Sequence, residues 1–237
     1  MDFIAGEVLY FNKPLDWTSF DLVNKFRYKL SRKLNVKKIK VGHAGTLDPK
    51  ATGVMIVCTG RATKRIDEFQ YRTKEYIAAI RLGETTPSFD LEKEVDRTYP
   101  VDHITCEKVR DVLATFVGEI RQVPPAFSAC KIDGKRAYEL ARKGKEAPLK
   151  AKTLVIDEME LLECALPVIK IRVVCSKGTY IRALARDIGT ALHSGAHLIA
   201  LERTRIGEIT LDMCMPPDRM DDFLEKIIIK TIKHETV

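Results

Sequence analysis

Gly42-His43-Ala44-Gly45-Thr46-Leu47-Asp48-Pro49-Lys50-Ala51-Thr52-Gly53, followed at once by Val54-Met55-Ile56-Val57-Cys58, is the stretch on which the reading of this chain turns. The apolar run is too short for a helix and is bounded by Gly53 and Gly60, which marks a buried strand. Before it, three glycines let the backbone bend sharply and approach a ligand closely, while Pro49 biases Asp48 toward an extended conformation. Thr46 and Thr52 can hydrogen-bond the loop back onto itself, leaving His43, Asp48 and Lys50 as its ionisable side chains. A rigid strand thus anchors a loop that presents a carboxylate. Taken alone, the same pattern also suits a capped turn of purely structural use.

Working outward from this strand gives the fold class. Upstream, Val8–Asn12 reads as a short apolar strand, and Pro14 with Asp16 turns the chain into a helix capped by Thr18 or Ser19. Leu22, Val23, Phe26 and Leu30 form its buried stripe. Downstream come a helical stretch around Ala62–Phe69, a strand Tyr76–Leu82, an acidic surface connection Glu84–Asp96, and a helix starting at Thr105 whose stripe is Val109, Val112, Leu113, Phe116 and Val117, with Gly118 able to close it. Lys135–Gly144 reads as a short helix on a basic, protruding segment. Val155–Leu162 and Val168–Cys175 read as paired strands, the second with Ile169, Ile171, Val173 and Cys175 on one face. Gly178 then turns the chain into a helix with a core stripe of Ile181, Leu184, Ala185, Ile188 and Leu192, with Arg182 and Arg186 on another face. His197–Leu201 is a further strand, and a short helical segment follows Pro217. Strands and helices do not alternate as βαβ units. The expected fold is therefore α+β, a mixed, largely antiparallel sheet flanked by helices.

Composition narrows the function. The chain has 237 residues, 45% of them hydrophobic, enough for a sizeable core. No stretch approaches the roughly 20 consecutive apolar residues of a membrane span. The N-terminus lacks a secretory signal, so a cytoplasmic protein is the expectation. Six scattered cysteines without a C-x-x-C pair read as reduced core thiols. His193 and His197 are four apart, but Gly195 between them and the lack of a third ligand argue against a metal site, and neither metal nor cofactor is expected. The net charge is +7, and Asp21–Lys40 alone holds eight bases and one acid. Such clustering suits a polyanion, so one helix is expected to pack with one side and meet phosphate with the other.

The Gly42–Gly53 loop resembles the catalytic loop of TruB-type tRNA pseudouridine synthases. Further segments similar to that family follow in its order: Asn12-Lys13-Pro14 with Trp17-Thr18-Ser19, Lys74-Glu75-Tyr76, Ser128-Ala129-Cys130-Lys131 with Gly134, Tyr138 and Ala141-Arg142, Cys175-Ser176-Lys177-Gly178-Thr179-Tyr180-Ile181-Arg182, and Gly195-Ala196-His197-Leu198-Ile199-Ala200-Leu201. The resemblance covers roughly residues 8–215. Asn12 stands where Asp is more usual, and Thr86-Pro87-Ser88-Phe89-Asp90 stands where many members have T-D-T-x-D. Residues 1–217 are expected to form the catalytic domain, with an RNA-gripping insertion at about 131–150. The expectation for residues 218–237 is a short helical tail, with no separate RNA-binding domain of PUA type.

The resemblance implies isomerisation of uridine 55 in the TΨC arm of tRNA, by a monomer without an obligate protein partner. It makes Asp48 the catalytic carboxylate, acting as a nucleophile toward sugar or base, or as a base at the ribose. Arg182 is expected to pair with Asp48 and Arg186 to contact phosphate. Tyr76 would stack against the flipped uracil, Tyr180 would line the pocket, His43 would contact the RNA where the base left its stack, and Leu201 would meet the uracil edge through its backbone. A non-catalytic RNA-binding module, an Asp-dependent hydrolase and a synthase guided to ribosomal RNA are the competing readings.

Overall fold

The computed structural model describes residues 1–128, 131–132, 135–137 and 149–227, and these fall into two compact units. Unit 1 holds Met1–Arg72 and the chain from Glu202 onward; unit 2 holds Thr73–Leu201.

In unit 1, β1 (Val8–Lys13) and β2 (Val41–His43) both pair antiparallel with β3 (Ala51–Thr59). β3 is buried along nearly its whole length because apolar layers cover both its faces, which explains its unbroken hydrophobic run. Met55 and Val57 face one layer with Leu9, Phe11, Leu22, Phe26 and Leu30, whereas Val54, Ile56 and Cys58 face another with Ala62, Phe69, Ile206 and Ile209. Helix α1 (Ser19–Leu34) supplies the first layer. Thr18 caps it in a reciprocal box: the Asp21 N–H donates to the Thr18 hydroxyl at 3.0 Å and the Thr18 N–H to the Asp21 carboxylate at 2.9 Å. The expected stripe of Leu22, Val23, Phe26 and Leu30 is the buried one. A short 3-10 turn, Gly60–Arg65, and α2 (Ile66–Tyr71) follow β3.

Unit 2 is built on β4 (Lys74–Leu82), with β5 (Glu84–Thr85) and β6 (Arg97–Thr98) as a small separate pair. Helix α3 (Cys106–Ala114) leads into β7 (Gly118–Gln122). It ends at Ala114, short of the expected Phe116 and Val117, and Gly118 at φ +101° opens a strand instead of closing the helix. β8 (Lys131–Ile132) and β9 (Lys135–Arg136) pair antiparallel, so strand replaces the start of the helix expected over residues 135–144. Most of that expected helix, and of the insertion at 131–150, lies outside the described residues.

β10 (Lys152–Ala165) and β11 (Val168–Cys175) form the expected pair, in the order β4-β11-β10-β7 with every register antiparallel. Ile169, Ile171, Val173 and Cys175 are fully buried, as the alternation required. Helix α4 (Ile181–Ala191) follows, and β12 (Ala196–Ile206) carries the boundary between the units. In unit 1, β13 (Ile209–Thr210) pairs with the end of β12. Helix α5 (Met220–Lys226) adds Met220 and Leu224 to the α1 core, and Asp221 pairs with Lys29 at 2.5 Å.

Two further expectations are overturned. Cys106 and Cys164 form a disulfide in place of reduced thiols, because α3 packs on β10 and brings their Cα atoms to 6.0 Å across 58 residues of sequence. The connection after β4 is also no simple surface segment: Thr86, Ser88 and Asp90 are buried.

Candidate active site

In unit 1 residues 44–50 of the Gly42–Gly53 stretch join β2 to β3, and Asp48 sits at the first position of a tight turn there. The Ala51 N–H donates to the Asp48 carbonyl at 3.0 Å, with Pro49 supplying the fixed φ that the second turn position favours. The neighbours of Asp48 are pinned as well. The Leu47 N–H donates to the Ser19 hydroxyl at 2.8 Å, and that hydroxyl donates to the Leu47 carbonyl at 2.9 Å. The Pro49 carbonyl accepts from the Asp16 N–H at 2.9 Å. Asp48 itself is partly buried, on a backbone held on both sides.

Two buried cations underlie the loop. Lys13 is fully buried, and its ammonium donates to the carbonyls of Pro14 at 2.8 Å and Trp17 at 2.6 Å, with Pro49 at 3.5 Å. Burial lowers its pKa to about 8, against the opposing pull of Asp48 and Asp16. Arg203 is 1% exposed; its Nε donates to the Val54 carbonyl at 2.8 Å and its Nη2 to the Gly45 carbonyl at 3.1 Å. It therefore ties the loop to the strand that follows. Its own backbone closes on Gly53 (φ +111°), where a Cβ would lie 2.2 Å from the Arg203 carbonyl oxygen. Only glycine fits there. His43 ends β2 opposite Val57, with Nδ1 buried and unpartnered. Burial, then the Arg203 charge, push its pKa below the usual histidine value, which favours a neutral imidazole at neutral pH.

In unit 2, Tyr180 and Arg182 stand where β11 passes into α4. The side chain of Gln122 grips Tyr180 by its backbone, accepting from its N–H at 2.9 Å and donating to its carbonyl at 3.2 Å. Arg182 is buried; its Nη2 donates to the Phe127 carbonyl at 2.9 Å and its Nη1 to the Ser88 carbonyl at 3.3 Å, with Nε 3.6 Å from the Asp90 carboxylate. The Thr86–Asp90 segment, unassigned from sequence, is thus a support for Arg182. It is closed by the Thr86 hydroxyl donating to the Asp90 carbonyl at 2.7 Å and anchored by the Leu198 N–H donating to the Phe89 carbonyl at 3.0 Å. The Arg186 guanidinium is engaged locally, with Asp187 at 2.8 Å and the Phe89 ring at 5.0 Å. Tyr76 is buried on β4 opposite Val173, and Leu201 is half-buried on β12. Among the described residues no group of three or more His, Cys, Asp or Glu is placed to hold a metal ion. No helix among them is long and apolar enough to cross a membrane.

The model of the TruB family pseudouridylate synthase N-terminal domain matches residues 31–181, which include both the Asp48 loop and the Tyr180–Ile181 junction. The chain belongs to the TruB family. A Parabacteroides distasonis protein named tRNA pseudouridine synthase B is 82% identical to this TruB-family chain over 230 residues, covering 97% of this chain and 98% of that protein. A Phocaeicola vulgatus protein of the same name is 68% identical over 235 residues, covering 99% and 100%. Among solved structures, a Cbf5-Nop10-Gar1 complex matches with TM-score 0.68 and 30% identity, over 94% of this chain and 56% of that one. The archaeal box H/ACA sRNP Nop10-Cbf5 complex matches with TM-score 0.66 and 28% identity, over 94% and 55%. The chain thus spans little more than half the length of the chains it matches in those structures. As a TruB-family pseudouridine synthase it is an isomerase, and the α+β fold agrees with these neighbours.

Sequence reading gave no supporting role to Lys13, Ser19 and Arg203, which hold the Asp48 loop of unit 1, or to Asp90, which faces Arg182 in unit 2. Ser19 was one of two cap choices, Lys13 lay inside a recognised motif, Asp90 lay in a departing one, and Arg203 carried no local signal beyond being a base in an otherwise half-buried strand.

Proposed function

We propose that the chain isomerises uridine 55 in the TΨC arm of tRNA to pseudouridine, with Asp48 as the catalytic carboxylate. The observation that carries this reading is the turn at Asp48: backbone groups on both sides are hydrogen-bonded, so one carboxylate is presented rigidly above two buried cations. Preorganisation of that kind is what a reaction with no external reagent requires. The bond from uracil N1 to the ribose breaks, the base rotates, and a bond from C5 forms in its place while the C5 proton leaves and N1 takes up a proton, so that no atom is gained or lost.

Asp48 acts either as a nucleophile toward the sugar or base, or as a base at the ribose. The target nucleotide lies within a folded arm and must be swung out to meet it. Tyr76 stacks on the extruded ring, Tyr180 and Arg182 line its surroundings, Leu201 offers backbone groups to the uracil edge, and the neutral His43 contacts the RNA left behind. The bases of α1 neutralise phosphate. The nearly full-length relatives at 82% and 68% identity are named for tRNA, which favours tRNA over guided ribosomal RNA as substrate. Asp48→Asn should abolish pseudouridine formation in a tRNA transcript while leaving tRNA affinity within a few-fold; a normal rate would remove Asp48 from its role. Mapping pseudouridine in cells lacking the protein tests the site, and loss at a position outside tRNA would refute the assignment.

A further inference from the structure

Helix α1 has a second face that the stripe of core residues leaves outside. Phe20, Asn24, Tyr28 and Arg32 follow one another at four-residue intervals and so form one ridge along the helix. Phe20 is 61% exposed and Tyr28 62% exposed, on the side opposite Leu22, Phe26 and Leu30. The Arg32 guanidinium lies over the Tyr28 ring at 5.6 Å, and its Nη1 donates to the Tyr28 hydroxyl at 3.2 Å. On the flank, the Lys25 ammonium lies over the Trp17 ring at 4.8 Å. One aromatic–cation pair therefore stands on the exposed helix face, a second sits beside the helix start at the partly buried Trp17, and Arg32 and Lys33 in the last turn are exposed as well. Of the neighbouring charges, Lys29 is paired with Asp221, and Asp21 is committed to the helix cap.

We infer that this ridge is a stacking platform for RNA bases outside the target nucleotide, and the inference rests on the tRNA reading above. Flat aromatic and guanidinium surfaces ringed by bases suit unpaired nucleotides, whose faces stack while their phosphates meet Lys and Arg. The basic surroundings are what selects RNA over an apolar protein partner. Position supports this too: Phe20 follows Ser19, the residue that clamps Leu47 beside Asp48, so the ridge begins one residue along the helix from a contact with the Asp48 turn. From Phe20 to Arg32 it runs about 18 Å along the helix.

The test is a triple variant, Phe20→Ala with Tyr28→Ala and Arg32→Ala, in the full chain. All three side chains are exposed, so folding is checked simply by an unchanged melting curve. Binding is measured by titration with an unmodified tRNA transcript, and turnover on the same RNA. The expected result is a Kd raised about tenfold or more and a salt slope shallower by about one, with the loss falling on KM more than on kcat. Wild-type turnover on that transcript is the control for the functional reading; its absence would overturn both. A Kd unchanged within twofold, with wild-type turnover intact, overturns the platform alone. A wild-type dimer in sedimentation that the variant dissolves, at unchanged RNA affinity, would assign the ridge to a second copy of the chain and equally overturn it.

Discussion

Replacing Arg203 by Met removes the guanidinium that joins the Asp48 loop to β3 while keeping most of the side-chain volume. Two hydrogen bonds from a charged donor are lost, to Val54 at 2.8 Å and Gly45 at 3.1 Å. Each such bond contributes on the order of 1.5–3 kcal/mol. Relief from burying a charge offsets part of this, leaving a net loss of about 3 kcal/mol. For a chain of this length that corresponds to a melting temperature lowered by roughly 6–12 °C. A second readout separates this from general damage. The Arg203 charge is one cause of the depressed His43 pKa, so in Arg203→Met the His43 imidazole should titrate closer to the ordinary value, burial alone then holding it down. Thermal unfolding followed by circular dichroism and an NMR titration of His43 measure the two effects. A melting temperature within about 2 °C of wild type, together with an unmoved His43 titration, would refute the claim that Arg203 braces the loop.

Lys13 makes stability depend on pH. Its folded pKa of about 8 lies below the unfolded value of 10.5, so between those values the unfolded chain binds more protons and the Lys13 contribution to stability rises with pH, by about 3 kcal/mol in all. The buried Cys58 thiol, pushed up to about 11, works the other way from pH 9 upward, so urea midpoints of Lys13→Met should be compared with wild type at each pH; a constant difference from pH 7.5 to 10 would sink the idea. Asp90→Asn removes the charge facing Arg182 at 3.6 Å and should slow pseudouridine formation on the order of tenfold or more with little change in tRNA affinity, because a misaimed side chain costs rate before it costs binding. An unchanged kcat would show that Arg182 is held well enough by the carbonyls of Ser88 and Phe127.

Local patterns carried much of this molecule. The cap at Thr18, one of the two positions read for it, the stripe of α1, the alternation in β11 and the stripe of α4 are each properties of a few adjacent residues, and the structure forms each of them. The turn at Asp48 was foreshadowed the same way, by Pro49 and the glycines around it. At Asp90 and at Cys106, where reading failed most plainly, the cause was contact over long separations. Nothing near Asp90 says that it faces Arg182, and nothing near Cys106 says that Cys164 is its neighbour.

The amino-acid order by itself determined most of the elements, the antiparallel class of the sheet and the turn that carries the Asp48 carboxylate, because backbone preferences and hydrophobic period act between neighbours in the chain. Tertiary structure alone decided which groups hold the Asp48 loop and, separately, the Arg182 side chain in place. Arg203 reaches Gly45 across 158 residues and Arg182 reaches Ser88 across 94, and a buried charge finds its partners only after the whole core has closed around it.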